Sequence, residues 1–69
     1  MIFVCQIRNN LLGQVDEVET FDEGIILIKK IVQENGVELT PVVIQEIEED
    51  YDYLDEGKEW SVCMGMTGD

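Results

Sequence analysis

Between Phe21 and Asn35, apolar residues recur at the spacing of one helical face. At about 100° per residue, Phe21, Ile25, Leu27, Ile28, Ile31 and Val32 share a sector of about 160°. Asp22, Glu23, Lys29, Lys30, Gln33 and Glu34 take the other side, with Ile26 the one apolar residue among them. The pattern predicts a helix whose stripe faces a core, and its ends are signalled too. Thr20 with Glu23 fits a capping box, in which a hydroxyl and a carboxylate satisfy orphan amides. Asp22 and Glu23 lie in the first turn, where the helix dipole favours anions. Asn35-Gly36 supplies residues able to take positive φ and end the helix.

Ahead of this helix, Ile2 to Ile7 alternates with period two. Ile2 and Val4 point one way, and Phe3, Cys5 and Ile7 the other. Both sets are apolar, which suits a central strand. Arg8-Asn9-Asn10 reads as a turn. Gln14 to Thr20 is a weaker strand whose acids suit a sheet edge, where charge discourages unwanted pairing. Residues 9–13 would close the hairpin. Leu11 and Leu12 within it are expected to plug into the core, the other reading being an exposed contact.

After the helix, residues 36–39 form a connector. Thr40-Pro41 is a helix start, with Thr as N-cap and Pro at the first helical position. Val43, Ile44, Ile47, Tyr51 and Leu54 then follow one helical face. A second helix is expected from Pro41 to about Asp50, fraying before Tyr53. A strand competes, because Val42-Val43-Ile44 is β-branched. Residues 54–58 read as a polar turn around Gly57. Glu59 to Met66 reads as a final strand, in which Trp60, Val62 and Met64 alternate with Ser61 and Cys63. Gly65 would mark a bulge or a close backbone approach, and residues 67–69 a frayed tail. The expected fold class is α+β, a single acidic domain over 1–69. Its order is β–β–α–α–β, with a mainly antiparallel sheet and the helices packed on one face. If 42–49 is a strand, the order becomes β–β–α–β–β.

Sixty-nine residues allow one small domain, whose core supplies only a few kcal/mol unless oligomerisation helps. Sixteen acids against four bases give a net charge of −12. Such a field repels nucleic acid and anionic lipid, and it speeds encounter with basic partners. The plainer reading is that the charge maintains solubility. No apolar run approaches the roughly 18 residues of a transmembrane helix. The MIFVCQIR start lacks a basic region and cleavage site, so a cytoplasmic location is expected. Cys5 and Cys63 then read as free, buried thiols. Both lie on strands, and neighbouring first and last strands would bring them within disulfide reach.

Most catalytic constellations are excluded by composition. There is no histidine, hence no Ser-His or Cys-His pair within one chain. Two distant cysteines do not make a four-ligand zinc site. The glycine-rich phosphate-binding motifs are absent. Carboxylate pairs are plentiful, but so short a chain has little room for both a core and a substrate cleft. No enzyme and no cofactor is expected.

The candidate site is the run Glu46 to Glu59, EIEEDYDYLDEGKE, with eight acids and one lysine in fourteen residues. It fails as a calcium loop. Counted from Asp50, the fifth position is Leu54 and the sixth, where glycine is required, is Asp55. As a recognition surface it offers Glu46, Glu48, Glu49, Asp50, Asp52, Tyr53, Asp55 and Glu56. Carboxylates on a rigid element imitate a row of phosphates, which a nucleic-acid-binding protein meets with Lys and Arg. Tyr51, Tyr53 and Trp60 stand in or beside the run, as aromatics do at binding hot spots. The expectation is an inhibitor or decoy on a basic, nucleic-acid-binding partner. By type it is akin to the anti-defence proteins of phages and mobile elements, and it has no direct contact with nucleic acid or membrane. The alternative is a regulatory interaction module, dimeric or docked on a larger assembly through Leu11, Leu12, Ile26 or a sheet edge. In that case the charge serves solubility alone.

Overall fold

Two pairs of strands flank two helices. The computed structural model describes residues 1–67. In chain order these are β1 (Ile2–Arg8), β2 (Leu11–Val18), α1 (Phe21–Glu34), α2 (Pro41–Asp50), β3 (Asp52–Asp55), a 3₁₀ turn (Glu56–Lys58) and β4 (Trp60–Met66). The strands form one sheet in the order β2-β1-β4-β3, every neighbour antiparallel. The fold is α+β, as expected, with the order extended by one strand to β–β–α–α–β–β. β1 is central because it is apolar on both faces; the acidic strands β2 and β3 take the edges.

The ends of both helices are set locally. Thr20 Oγ1 accepts the Glu23 N–H at 3.1 Å, and Thr40 Oγ1 accepts the Val43 N–H at 3.2 Å. Glu23 Oε2 accepts from the Glu19 N–H at 3.3 Å, one residue ahead of the cap expected to donate. With Thr40 capping and Pro41 at the start, 41–50 is helical, so the strand alternative does not hold. Tyr51 stops the helix in a left-handed conformation, φ 56°. Its N–H goes back to Ile47 O, while its carbonyl accepts from Met64 N at 3.0 Å and starts β3.

Trp60, Ile28, Ile47, Val4, Val32 and Val62 form the fully buried core. Each such side chain contributes about 1.5–3 kcal/mol by burial. Gly24 of α1 is buried against Met64, whose Sδ and Cε a Cβ there would strike, so the helix approaches the sheet closely at this point.

Several expectations are corrected. Leu11 and Leu12 do not plug the core; they open β2 and are 72% and 66% exposed. The hairpin needs only Asn9 and Asn10, both at positive φ (53° and 64°), which releases Leu11 to pair with Arg8. The register shifts between Cys5 and Ile7, so the bulge falls at Gly13 and Gln14 of β2. Gly65, expected to mark one, pairs in register with Phe3 and has open space around it. Tyr51 and Leu54 do not extend the face of α2, and part of the expected polar turn at 54–58 is strand. Of the expected tail, Thr67 is tied to the Met1 carbonyl at 3.0 Å, and residues 68–69 lie outside the described residues.

Candidate functional site

The acidic run folds into three pieces. Glu46, Glu48, Glu49 and Asp50 are on α2, Asp52, Tyr53 and Asp55 on the edge strand β3, and Glu56 on the 3₁₀ turn. The reversal at Tyr51 lays β3 back beside α2 and brings Glu46 close to Tyr53 and Asp55, an acidic ridge along the α2–β3 seam. Glu48 turns instead to Lys29 of α1, and Asp52 lies on the sheet face away from the helices. Glu48, Glu49, Asp50 and Glu56 are exposed; Glu46, Asp52, Tyr53 and Asp55 are half-buried.

Tyr53 is where the pieces meet. Its phenol is pushed above the ordinary value, first by burial, then by the charges of Asp55 and Glu46. The hydroxyl therefore stays protonated and can donate a hydrogen bond among carboxylates that only accept. Asp55 is partly engaged, its Oδ1 accepting the Lys58 N–H at 3.3 Å.

Little positive charge offsets the ridge. Lys29 Nζ lies 3.4 Å from Glu48 Oε2, the one ion pair among the described residues. Arg8 donates to Asn35 Oδ1 at 3.2 Å and stands 5.7 Å from the Trp60 ring centre. Lys58 Nζ donates to the Asn35 carbonyl at 3.4 Å. Arg8 and Lys58 thus gather at the negative end of the α1 dipole. Three of the four bases are held in intramolecular contacts.

A second surface was not expected from the sequence. Both helices cover the face of the sheet that carries Val4, Val62 and Trp60. Among the described residues, none forms a helix on the opposite face. Register places three rows of residues across that face. The first is Leu12–Ile7–Ser61–Leu54, the second Val15–Cys5–Cys63–Asp52, the third Glu17–Phe3–Gly65. Leu12, Leu54 and Val15 are 66%, 54% and 45% exposed. The rows are apolar at their centre and acidic at Glu17 and Asp52. At the hairpin end, an open groove of about 310 Å³ is lined by Ile7, Leu54, Ser61 and Trp60, with Glu56, Glu59 and Asn10 around them. The signal was in β1, apolar on both sides, since two helices suffice to cover only one face.

Cys5 and Cys63 stand opposite each other in the middle row and are free thiols. Both are half-buried rather than buried, because they lie on the uncovered face. Among the described residues, no group of three Cys, Asp or Glu side chains is arranged to hold a metal ion. No helix is long and apolar enough to cross a membrane. Comparison with protein-family models, with curated proteins and with solved structures finds no match.

Proposed function

We propose that the chain is a small acidic binding protein that occupies the basic nucleic-acid-binding surface of a partner protein, as an inhibitor or decoy of the kind phages and mobile elements carry. One observation supports it above the rest. Glu46, Glu49 and Asp50 of α2 and Asp55 of β3 form an acidic ridge around Tyr53, while Arg8, Lys29 and Lys58 are held in intramolecular contacts. The ridge is thus a rigid series of hydrogen-bond acceptors, the complement of a surface that offers Lys and Arg to phosphates.

The test is capture of proteins from a lysate, eluted by a salt gradient, followed by competition with DNA or RNA. Attraction between exposed charges is screened over about 8 Å at physiological ionic strength, so the partner should elute sharply at moderate salt. Nucleic acid should compete for it. Glu49→Lys with Asp50→Lys should abolish capture. A partner that ignores salt, nucleic acid and the charge reversal would refute the reading.

The uncovered sheet face favours a second reading, a regulatory interaction module that docks by apolar contact. Capture would then persist at high salt and depend on Leu12 and Leu54 rather than on the ridge.

A further inference from the structure

The uncovered sheet face has a composition that selects its occupant. Its centre is apolar, and each margin carries acids: Glu17 on the β2 side, Asp52 on the β3 side, and Glu56 and Glu59 around the groove. A second copy of the chain would bring the same features. Any face-to-face rotation of two copies sets acidic margin over acidic margin, at a net charge of −12 each. Like charges juxtaposed at an interface oppose assembly, and no margin residue named here is basic.

We propose that this face binds a basic amphipathic segment of a partner protein. Its apolar side chains lie across Leu12, Ile7 and Leu54, with one anchored in the groove, and its Lys or Arg side chains reach Glu56 and Glu59. The groove is the right size for an anchor residue. At about 310 Å³ and open to solvent, it lies at the low end of small-molecule sites and encloses too little of a ligand to hold one alone. Ile7 and Leu54 supply its apolar wall, and the two glutamates accept charge-assisted hydrogen bonds at its rim. The face is about as long as its seven-residue central strand, some 23 Å. A partner helix of about fourteen residues matches it at roughly 21 Å. The inference shares Asp52 and Glu56 with the acidic run, but its apolar contacts lie on another surface, and reversing Glu49 and Asp50 leaves it intact.

The test titrates three synthetic peptides of about fourteen residues into the isotope-labelled full chain, followed by amide chemical shifts. One is a Leu/Lys amphipathic helix, one replaces each Leu by Ser, and one replaces each Lys by Glu. The Leu/Lys peptide should shift the amides of the first two rows, with half-saturation at least about tenfold below that of either control. Leu12→Gln with Leu54→Gln should weaken it by about tenfold or more. Both positions are more than half exposed, so the variant should keep its circular dichroism and melting temperature. Glu56→Lys, a second variant at an exposed position, should weaken it too. Equal binding of the Lys/Ser peptide, or shifts confined to α2, would overturn the proposal. So would a chain that sediments as a dimer and becomes monomeric in the Leu12/Leu54 variant, since a second copy would then be the occupant.

Discussion

Cys5 and Cys63 are directly opposed across the two central strands, and the ladder identifies the kind of pair they form. Asn9 N–H donates to Glu59 O at 2.8 Å and Thr67 N–H to Met1 O at 3.0 Å, one at each end of the β1–β4 pairing. Hydrogen-bonded and non-bonded pairs alternate along an antiparallel ladder. Counting inwards by twos makes Cys5–Cys63 a hydrogen-bonded pair, with Cα atoms about 5.5 Å apart. That separation lies within the range a disulfide spans.

A thiol oxidant such as diamide should therefore close an intramolecular Cys5–Cys63 bond, with the two strands drawn locally together to bring the Cβ atoms within reach. Cross-linking residues 58 positions apart restricts the unfolded chain, with an upper limit near 4 kcal/mol in the chain-entropy account. Thiol titration, non-reducing electrophoresis and a melting curve check it. The expected result is loss of both thiols, a monomeric band and a higher melting temperature. Disulfide-linked dimers would show that the thiols reach a second molecule more easily than each other.

The local features were the legible ones. Thr20, Thr40 and Pro41 set helix starts within a few residues of themselves, so their signals did not depend on the rest of the chain. β3 was not legible, because Asp-Tyr-Leu-Asp has weak strand propensity and becomes a strand only by pairing with β4. The acids of 46–59 were visible as a run, but their division between helix and edge strand follows from the left-handed turn at Tyr51, a residue that rarely adopts it. Leu11 and Leu12 were misplaced because the two-residue turn at Asn9-Asn10 left them nothing to plug.

Stability should fall in mild alkali. Burial first, then the neighbouring Cys5 and Asp52, raises the Cys63 thiol above its ordinary value of 9.0. Burial and neighbouring carboxylates do the same to the Tyr53 phenol, ordinarily 10.0. In both cases the native state keeps a proton that the unfolded chain gives up. Their contribution is complete below about pH 9 and is lost as pH rises through the raised values. Urea midpoints should drop between about pH 7 and pH 10.5. Cys63→Ser should flatten the lower part of the decline and Tyr53→Phe the upper part. A midpoint unchanged across that range would contradict the environments described for both groups.

Gly24 and Met64 should be energetically coupled. Gly24→Ala gains about 1 kcal/mol of helix propensity but drives a Cβ into the Met64 thioether. The flexible end of Met64 can shift at some cost, so the single substitution should be close to neutral. In a Met64→Ala background the collision is gone, and the same change should stabilise by about 1 kcal/mol. A double-mutant cycle in urea reads the coupling, and simple additivity would show that α1 does not approach β4 as closely as described.

Trp60 is the side chain on which the core depends most, and it carries an internal conflict. The indole is 1% exposed, with Tyr53 tilted against it at 6.1 Å between ring centres. Its Nε1–H is buried and has no hydrogen-bond acceptor among the described residues. A buried donor without a partner costs about 1–3 kcal/mol. Trp60→Ala removes the contacts and leaves a cavity, at about 3–5 kcal/mol. That is as much as a core of this size supplies, so the variant should be unfolded at room temperature. Trp60→Phe keeps an aromatic ring against Tyr53 and abolishes the orphan donor. Relief of the donor offsets most of the lost volume, and the net change should stay within about 1 kcal/mol. Urea titrations followed by circular dichroism distinguish the two variants. If Trp60→Phe proves as damaging as Trp60→Ala, the indole N–H has an acceptor in solution.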